Sequence, residues 1–387
     1  MYNFVTVFKK TGVYLSDLTL ILLAAGASTR FKINVKKQWL RIQDKPLWEF
    51  VAQNFSKRYA FDKIIIAAPY EDVTFMDTFT DFLVVGGADT RQQSLKNALT
   101  HVATPYVLVS DIARPCISNK LFNDLLQAKG HADCIVPAIK VHDTVVYGNQ
   151  TIDREKILRI QTPQLSKTSA LIQALQSDTQ YTDESSAIAA NKGSRIFIDG
   201  DDKALKVTTV EDLKKLQCLK APHSVTLIGN GFDVHQFDTT GTMYLGGVKI
   251  GHNVGFLAHS DGDVAIHALI DALLGAAGLG DIGMLFPDND SKYKDIDSKI
   301  LLTRSVGKLH RYGFIINNID LTIIAQTPKL QHYKADMRKT IASILQISPS
   351  KINIKATTTE HLGFIGRKEG VGVLASASLS YLNWKDT

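Results

Sequence analysis

Asp233-Val234-His235 sets two metal-capable side chains two positions apart, and in an extended segment residues i and i+2 point to the same face. Downstream, HSDGDVAIHALIDALLG puts His259 and Ser260 ahead of a helical pattern, with Asp263, His267 and Asp271 at i, i+4 and i+8 along one helical stripe. Asp233, His235 and His267, with an open fourth position, make a donor set suited to a catalytic zinc ion. A D-x-H pair alone arises often by chance. A lone histidine on an apolar helix is more commonly a core residue, with neighbouring acids capping or solvating the helix. The pair and the stripe together favour the metal reading.

A second constellation lies near the N-terminus. The loop Ala24-Ala25-Gly26-Ala27-Ser28-Thr29-Arg30 follows an apolar run, and its small residues let backbone N–H groups close around phosphate oxygens. It has neither the P-loop lysine nor the dinucleotide glycine pattern, and a small-residue turn after a strand is often a plain structural requirement. Arg30 and Lys37 add positive charge suited to a triphosphate and to phosphorus under attack, although Lys32 and Lys36 also fit a simply solvated basic loop. Two more loops, Gly86 to Ser94 and Ser110 to Pro115, each pair an acid with an arginine.

The elements that must hold these residues divide the chain near residue 222. From Leu18 to about Val207, apolar runs (LTLILLAAG, DKIIIAAP, YVLVSD) alternate with helical stretches, which predicts a mostly parallel sheet covered by helices. Ligands bind beyond the carboxyl ends of such strands. A helix over VEDLKKLQCLKA closes this part, and Pro222-His223-Ser224 separates it from SVTLIGNGFDVH. Helices at GDVAIHALIDALLGAAG, DSKILLTRSVGKLHRYG and HYKADMRKTIASILQ, with strands at NNIDLTIIAQ, KINIKATTT and VLASASLSYL, predict an α+β second domain. The expected organisation is an extension over 1–17, a first domain over 18–222 and a second over 223–387.

With 387 residues, 45% of them hydrophobic, the chain can bury two cores. A net charge of +6 without a long basic run fits small anionic substrates and argues against a nucleic-acid surface. Leu20 to Ala27 is too short to span a bilayer, so no membrane association is expected. Cys116, Cys134 and Cys218 are odd in number and far apart, and are expected to be buried, reduced thiols in a cytoplasmic protein.

The first half, over about 18–220, resembles the 2-C-methyl-D-erythritol 4-phosphate cytidylyltransferases, because LAAGASTR, KKQW, GGADTRQQS, DIARP, DR before QTPQ, TDE and LKVT occur in that family's order. The resemblance implies a Rossmann-like nucleotidyltransferase domain that transfers CMP from CTP to methylerythritol phosphate and releases pyrophosphate, with Mg²⁺ or Mn²⁺ on the triphosphate. It implies that Arg30 and Lys37 stabilise the transition state, beside Ala25 and Gly26 of the phosphate loop, and that Arg154 and Lys206 hold the methylerythritol phosphate. Gly87, Asp89 and Ser94 would read the cytosine, while Asp111, Arg114, Thr144 and Thr162 would line the ribose and polyol region. The sequence departs from the family at Val35-Lys36-Lys37, where a proline often precedes the lysine, and at Ser110-Asp111-Ile112-Ala113-Arg114. Only the register, with Lys37 before Gln38, chooses between Lys36 and Lys37.

Over 225–382 the chain is similar to 2-C-methyl-D-erythritol 2,4-cyclodiphosphate synthase, through GFDVH, LAHSDGDV, HALIDALLGAAGLGDIGMLFPD, IDLTIIAQTPK and IKATTTEHLGFIGRKEG. The family's zinc ligands fall on Asp233, His235 and His267, and a second divalent ion on Glu360. The implied reaction is intramolecular attack of a 2-phosphate on the β-phosphorus, expelling CMP, with His259 and Thr358 at the transition state. Ser260, Asp281, Gly283, Phe286, Pro287 and Asp288 would contact the sugar and its loop; Ala325, Pro328, Lys329, Ala356 and Thr357 would enclose the cytidine phosphates. Phe364 and Arg367 would belong to an interface cavity. Thr357, Thr358 and Thr359 are good strand residues whatever they bind, and only alternate members can face a site.

Together the resemblances imply a fused enzyme for two nonconsecutive steps of one route to isoprenoid precursors. The intervening ATP-dependent step would fall to a separate kinase, a candidate partner. A homotrimer or higher homo-oligomer is implied through the second half. The competing readings are a cytidylyltransferase for another polyol phosphate, or one half retained only as a binding or assembly module.

Overall fold

The computed structural model describes residues 16–239, 241–258, 260–287, 289–293 and 295–387. It forms two compact units, one of residues up to Phe31 with Lys45–Leu219, the other of Lys32–Asp44 with Lys220–Thr387. The expected extension lies largely outside the described residues, as do His259 and Asp288.

In the first unit the strands are β1 (Leu18–Leu23), β2 (Ile64–Ala68), β3 (Leu83–Gly86), β4 (Tyr106–Asp111), β5 (Cys134–Lys140), an arm of β6 (Val145–Tyr147) and β7 (Gln150–Ile152), then β8 (Leu158–Ile160), β9 (Gln164–Lys167) and β10 (Arg195–Asp199). The main sheet runs β8-β5-β9-β4-β1-β2-β3, with β10 beside β5. β4, β1, β2 and β3 are parallel, while β9 is antiparallel to both β4 and β5. Alternate residues Ile21, Leu23, Ile65, Ala67, Val107 and Val109 bury one face, and Leu20, Leu22, Ile64, Ile66 and Leu108 bury the other. Burial on both faces is why these strands read as unbroken apolar runs. The helices of this unit include α1 (Leu47–Ser56), α2 (Arg91–Leu99), α3 (Asn119–Gln127), α4 (Glu184–Ala190) and α5 (Val210–Lys215), with shorter ones over Val73–Asp77 and Thr168–Ala174. In α1 the buried residues Leu47, Trp48, Val51, Ala52 and Phe55 make one helical stripe.

Two expectations are corrected here. The helix expected over VEDLKKLQCLKA stops at Lys215, where Leu216 turns to an extended conformation. Beyond it Cys218 reaches Cys116 and the two form a disulfide, so they are not reduced thiols. Their separation of 102 residues hid the fact that the loop after β4 and the end of this unit converge. Cys134 is a free, buried thiol, and burial pushes its pKa up to about 12.

The second unit is a five-stranded sheet of β11 (Leu227–Asp238), β12 (Gly255–Phe256), β13 (Phe314–Ile324), β14 (Ile352–Thr357) and β15 (Gly370–Tyr381), in the order β12-β11-β15-β13-β14. Only the β13-β14 pair is parallel among these. Helices α6 (Val264–Ala277), α7 (Ser298–Arg311) and α8 (Lys334–Leu345) cover it. Gly229 and Gly231 on β11 let α6 lie directly on the sheet. A Cβ on Gly231 would fall 2.0 Å from the Ala268 carbonyl oxygen, and one on Gly229 2.2 Å from that of Ala272. Among the described residues no helix is long and apolar enough to cross a membrane.

Candidate active sites

Gly229, Gly231, Asp233 and His235 alternate along β11, so the face that accepts α6 also carries the first two ligand candidates. α6 brings His267 to them. The His235 Nε2 is 3.1 Å from Asp233 Oδ2, the His267 Nδ1 is 3.4 Å from the same oxygen, and the three donors form one cluster. Tetrahedral zinc with ligands at about 2.0–2.1 Å separates its donors by roughly 3.3 Å, so the set fits such an ion. The outer partners fit as well: the other His235 nitrogen, Nδ1, lies 2.9 Å from the Gly262 carbonyl, fixing the ring so that Nε2 faces inward. His267 Nε2 lies 3.2 Å from Ser260 Oγ and 3.0 Å from Ser298 Oγ, and Ser298 in turn donates to Asp261. Burial opposes ionisation of Asp233, but its hydrogen bonds to His235 and His267 and their charge outweigh burial and hold the carboxyl well below the usual range.

The neighbouring acids do other work. Asp263 is buried at the N-cap of α6, accepting from Ala265 and Ile266 as well as from Gly246 and Gly247, and Asp271 accepts from the Ile282 N–H. Asp281 caps a one-turn helix over Ile282–Leu285 that contains Gly283. Phe286 is buried edge-on against Tyr293, and Pro287 is exposed. Ala325 N–H donates to the Thr357 carbonyl at 2.9 Å, which joins two of the expected cytidine contacts, with Ala356 and Lys329 exposed and Pro328 half-buried. Thr358 donates to the Glu360 carboxylate at 2.7 Å; Glu360 is not part of the donor cluster. Phe364 is exposed, and Arg367 makes a two-pronged ion pair with Glu369 at 2.7 and 3.1 Å.

In the first unit the phosphate-type loops sit at the carboxyl ends of β1, β3 and β4. Gly87 packs so closely on Ala25 that a Cβ there would come within 2.4 Å of the Ala25 methyl, so the loops bearing Gly26 and Gly87 touch. Ser94 Oγ accepts from Ala88 N–H and donates to the Thr90 carbonyl, both at 2.9 Å, pinning the turn that exposes Asp89. Asp111, at the end of β4, takes Lys206 Nζ at 2.6 Å and Arg91 Nε at 3.1 Å. Burial works against its ionisation, yet Arg91 and Lys206 bring its pKa down to about 2. Its backbone N–H lies 3.4 Å from Thr162 Oγ1, and Arg114 donates to the carbonyls of Ala204 and Ile160.

Arg91, which sequence reasoning did not single out, joins this candidate site through Asp111. It bridges Asp111 to Glu184, whose carboxylate is 2.6 Å from its Nη1, and so ties the β4 loop to α4. Both belong to quoted motifs, GGADTRQQS and TDE, and an unclaimed opposite-charge pair in two site motifs was the available signal. Thr144 and Arg154 are not joined to this cluster by contact; they flank the β6-β7 arm, where Arg154 donates to the His142 carbonyl at 2.7 Å. Arg30 is exposed in a turn over Thr29–Phe31, and Lys37 opens a 3₁₀ turn over Lys37–Trp39 in the second unit.

The family model described as 2-C-methyl-D-erythritol 4-phosphate cytidylyltransferase matches residues 18–219, and that of the YgbB family matches 226–380. A protein of Sulfurimonas denitrificans described as "Bifunctional enzyme IspD/IspF" is 59% identical over 384 residues, covering 99% of each chain. One of Campylobacter concisus with the same description is 52% identical, covering 95% of this chain and 99% of its own. The chain belongs to the bifunctional IspD/IspF family. The solved structure of the bifunctional IspDF from Campylobacter jejuni matches with a TM-score of 0.87 at 48% identity, over 96% of this chain and 100% of that one. This IspD/IspF chain therefore joins a cytidylyltransferase to a cyclodiphosphate synthase of the methylerythritol phosphate pathway, and neither competing reading is favoured. IspD and IspF enzymes are metal-dependent, and Asp233, His235 and His267 form a possible metal site.

Proposed function

We propose that Asp233, His235 and His267 hold Zn²⁺ in the cyclodiphosphate synthase, and that the loops after β1, β3 and β4 take CTP and methylerythritol phosphate. The observation that carries the reading is the donor cluster, with separations of 3.1 and 3.4 Å and a separate hydrogen-bond partner behind each imidazole. When bound, Zn²⁺ and a second divalent ion such as Mg²⁺ or Mn²⁺ polarise phosphate oxygens and neutralise the leaving group.

The chain's own residues position and neutralise. In the transferase a phosphate oxygen of the acceptor bonds to the α-phosphorus of CTP as the bond to pyrophosphate breaks, so no enzyme base is needed to create the nucleophile. Arg30 and Lys37 put positive charge beside that phosphorus, and the Ala25-Gly26 loop offers N–H donors. Lys206 and Arg154 hold the acceptor phosphate; Lys206 is partly exposed although it pairs with Asp111. Gly87, Asp89 and Ser94 present the cytosine pocket, with Asp111, Arg114, Thr144 and Thr162 around the sugar. Arg91 sets the Asp111 carboxylate by holding it to Glu184.

In the synthase, a 2-phosphate oxygen bonds to the β-phosphorus and CMP leaves. Ser260 and Ser298 orient His267, Thr358 orients Glu360, and Glu360 takes the second ion. His259 acts at the transition state. Asp281, Gly283, Phe286, Pro287 and Asp288 hold the sugar, while Ala325, Pro328, Lys329, Ala356 and Thr357 hold the cytidine. Phe364 and Arg367 line an interface cavity of a homotrimer. Supporting a trimer, the face of β11 and β15 turned away from α6 exposes Ile228, Phe232 and Leu374, the last two directly paired. The intermediate phosphorylation falls to a separate kinase, and the setting is the cytoplasm. The working domains are 18–222 and 223–387.

Zinc chelation tests the reading. Dialysis against a zinc-selective chelator should remove one zinc per chain and stop cyclisation, which added Zn²⁺ restores, while CTP consumption with Mg²⁺ continues. Undiminished cyclisation by zinc-free protein would refute the assignment.

A further inference from the structure

Ser260-Asp261-Gly262 lies between β12 and α6 and touches both imidazoles of the donor cluster. A carbonyl oxygen only accepts, so the His235 proton sits on Nδ1, 2.9 Å from the Gly262 carbonyl, and Nε2 is left for a metal. His267 is turned the other way: its Nε2 meets two hydroxyls, and its Nδ1 faces Asp233 at 3.4 Å. A hydroxyl can donate or accept, so Ser260 and Ser298 by themselves leave the proton of this ring undecided.

Asp261 decides it. Ser298 is fully buried, and its one hydroxyl hydrogen goes to the Asp261 carboxylate, which can only accept. The Ser298 oxygen then offers His267 only lone pairs at 3.0 Å, so Nε2 must carry a proton. Ser260 fits the same polarity, since its oxygen accepts the Gly262 N–H at 3.1 Å and can share the Nε2 hydrogen. The carboxylate is itself pinned. It accepts the N–H groups of Ser298 and Asp263, each at 3.2 Å, while Asp261 N–H donates to the Ile296 carbonyl at 3.1 Å. Ser298 opens α7 and His267 belongs to α6, so Asp261 laces the two helices together at the cluster.

We infer that Asp261 and Ser298 are positioning residues for the metal site: the carboxylate holds the Ser298 hydroxyl hydrogen, and the hydroxyl oxygen thereby holds the His267 proton on Nε2 and turns Nδ1 toward the metal. This rests on the reading of Asp233, His235 and His267 as zinc ligands. An anionic acceptor at the far end of such a relay fixes the ring and raises its strength as a ligand. One short loop thus sets both histidines with opposite ring nitrogens inward, His235 through the Gly262 carbonyl and His267 through Asp261 and Ser298.

Zinc dissociation constants of the full-length chain, measured by competition with a chromophoric chelator, test this. Asp261→Ala and Ser298→Ala should each weaken zinc binding roughly tenfold to a hundredfold. The visible bands of the Co²⁺-loaded chain should shift in both as the His267 ring loses its orientation. Ser305→Ala is the control, because it also deletes a fully buried hydroxyl of α7, one that donates to the Leu301 carbonyl at 3.0 Å. It should bind zinc as the wild type does. Should Asp261→Ala unsettle the loop, Ser298→Ala decides, since the carboxylate keeps its two backbone donors there. Wild-type zinc affinity in Ser298→Ala overturns the relay, as does a loss that Ser305→Ala reproduces or that leaves the Co²⁺ bands in place. His267→Ala separates the relay from the reading beneath it. If that variant loses zinc while Ser298→Ala keeps it, the relay alone fails; if it binds zinc like the wild type, the ligand reading fails and the relay with it.

Discussion

Replacing His267 by alanine is expected to reduce cyclisation about a thousandfold or more while the CTP reaction proceeds unchanged. Three protein donors cluster here, and two cannot hold zinc against exchange as three can. The substitution also removes the His267 Nε2 partner of Ser260 and Ser298, but Ser260 is partly exposed and can turn to water, and the buried Ser298 hydroxyl keeps its hydrogen bond to Asp261. The folding cost is therefore small. CMP release from the cyclisable substrate, read with the zinc content of the same sample, checks this. A variant that keeps both its zinc and its cyclisation rate would remove His267 from the site.

Gly231→Ala carries the largest expected structural effect. Its new Cβ would lie 2.0 Å from the Ala268 carbonyl oxygen and 2.8 Å from the Ala272 N, both backbone atoms of α6 that cannot rotate away. The helix must lift from β11 and take His267 with it. Overpacking of this kind costs roughly 3 kcal/mol, equivalent to a fall in Tm of about 10 °C for a unit of this size. Gly307→Ala in α7 is the control, because a Cβ there meets nothing within 4 Å. Thermal unfolding compares the two variants. An unshifted transition for Gly231→Ala would contradict the close seat of α6 on the sheet.

The Asp233, His235 and His267 donor cluster was legible in the sequence because its geometry is local: alternation sets Asp233 and His235 on one face of a strand, and the apolar period of α6 turns His267 toward it. The glycines at 229 and 231 lie on the same alternation, but their role in seating the helix emerged only from the structure. The parallel core of the first unit was legible because buried strands read as apolar runs. Convergence of distant loops was not. Arg91 meets Asp111 across 20 residues and Glu184 across 93, and no periodicity links such positions. The Cys116–Cys218 bond and the packing of Lys32–Asp44 with the second unit are of the same kind, since each depends on which chain ends meet in space.

Phosphorus NMR of the full-length protein tests the two-reaction account most directly. The sample holds CTP, methylerythritol phosphate, Mg²⁺ and Zn²⁺, with a separate kinase and ATP added midway. The account predicts pyrophosphate and a cytidyl diphosphate product before the addition, and the cyclic diphosphate with CMP only after it. An unchanged spectrum before the addition, or a phosphorylated intermediate that accumulates without cyclising after it, would contradict the account for the corresponding half of the chain.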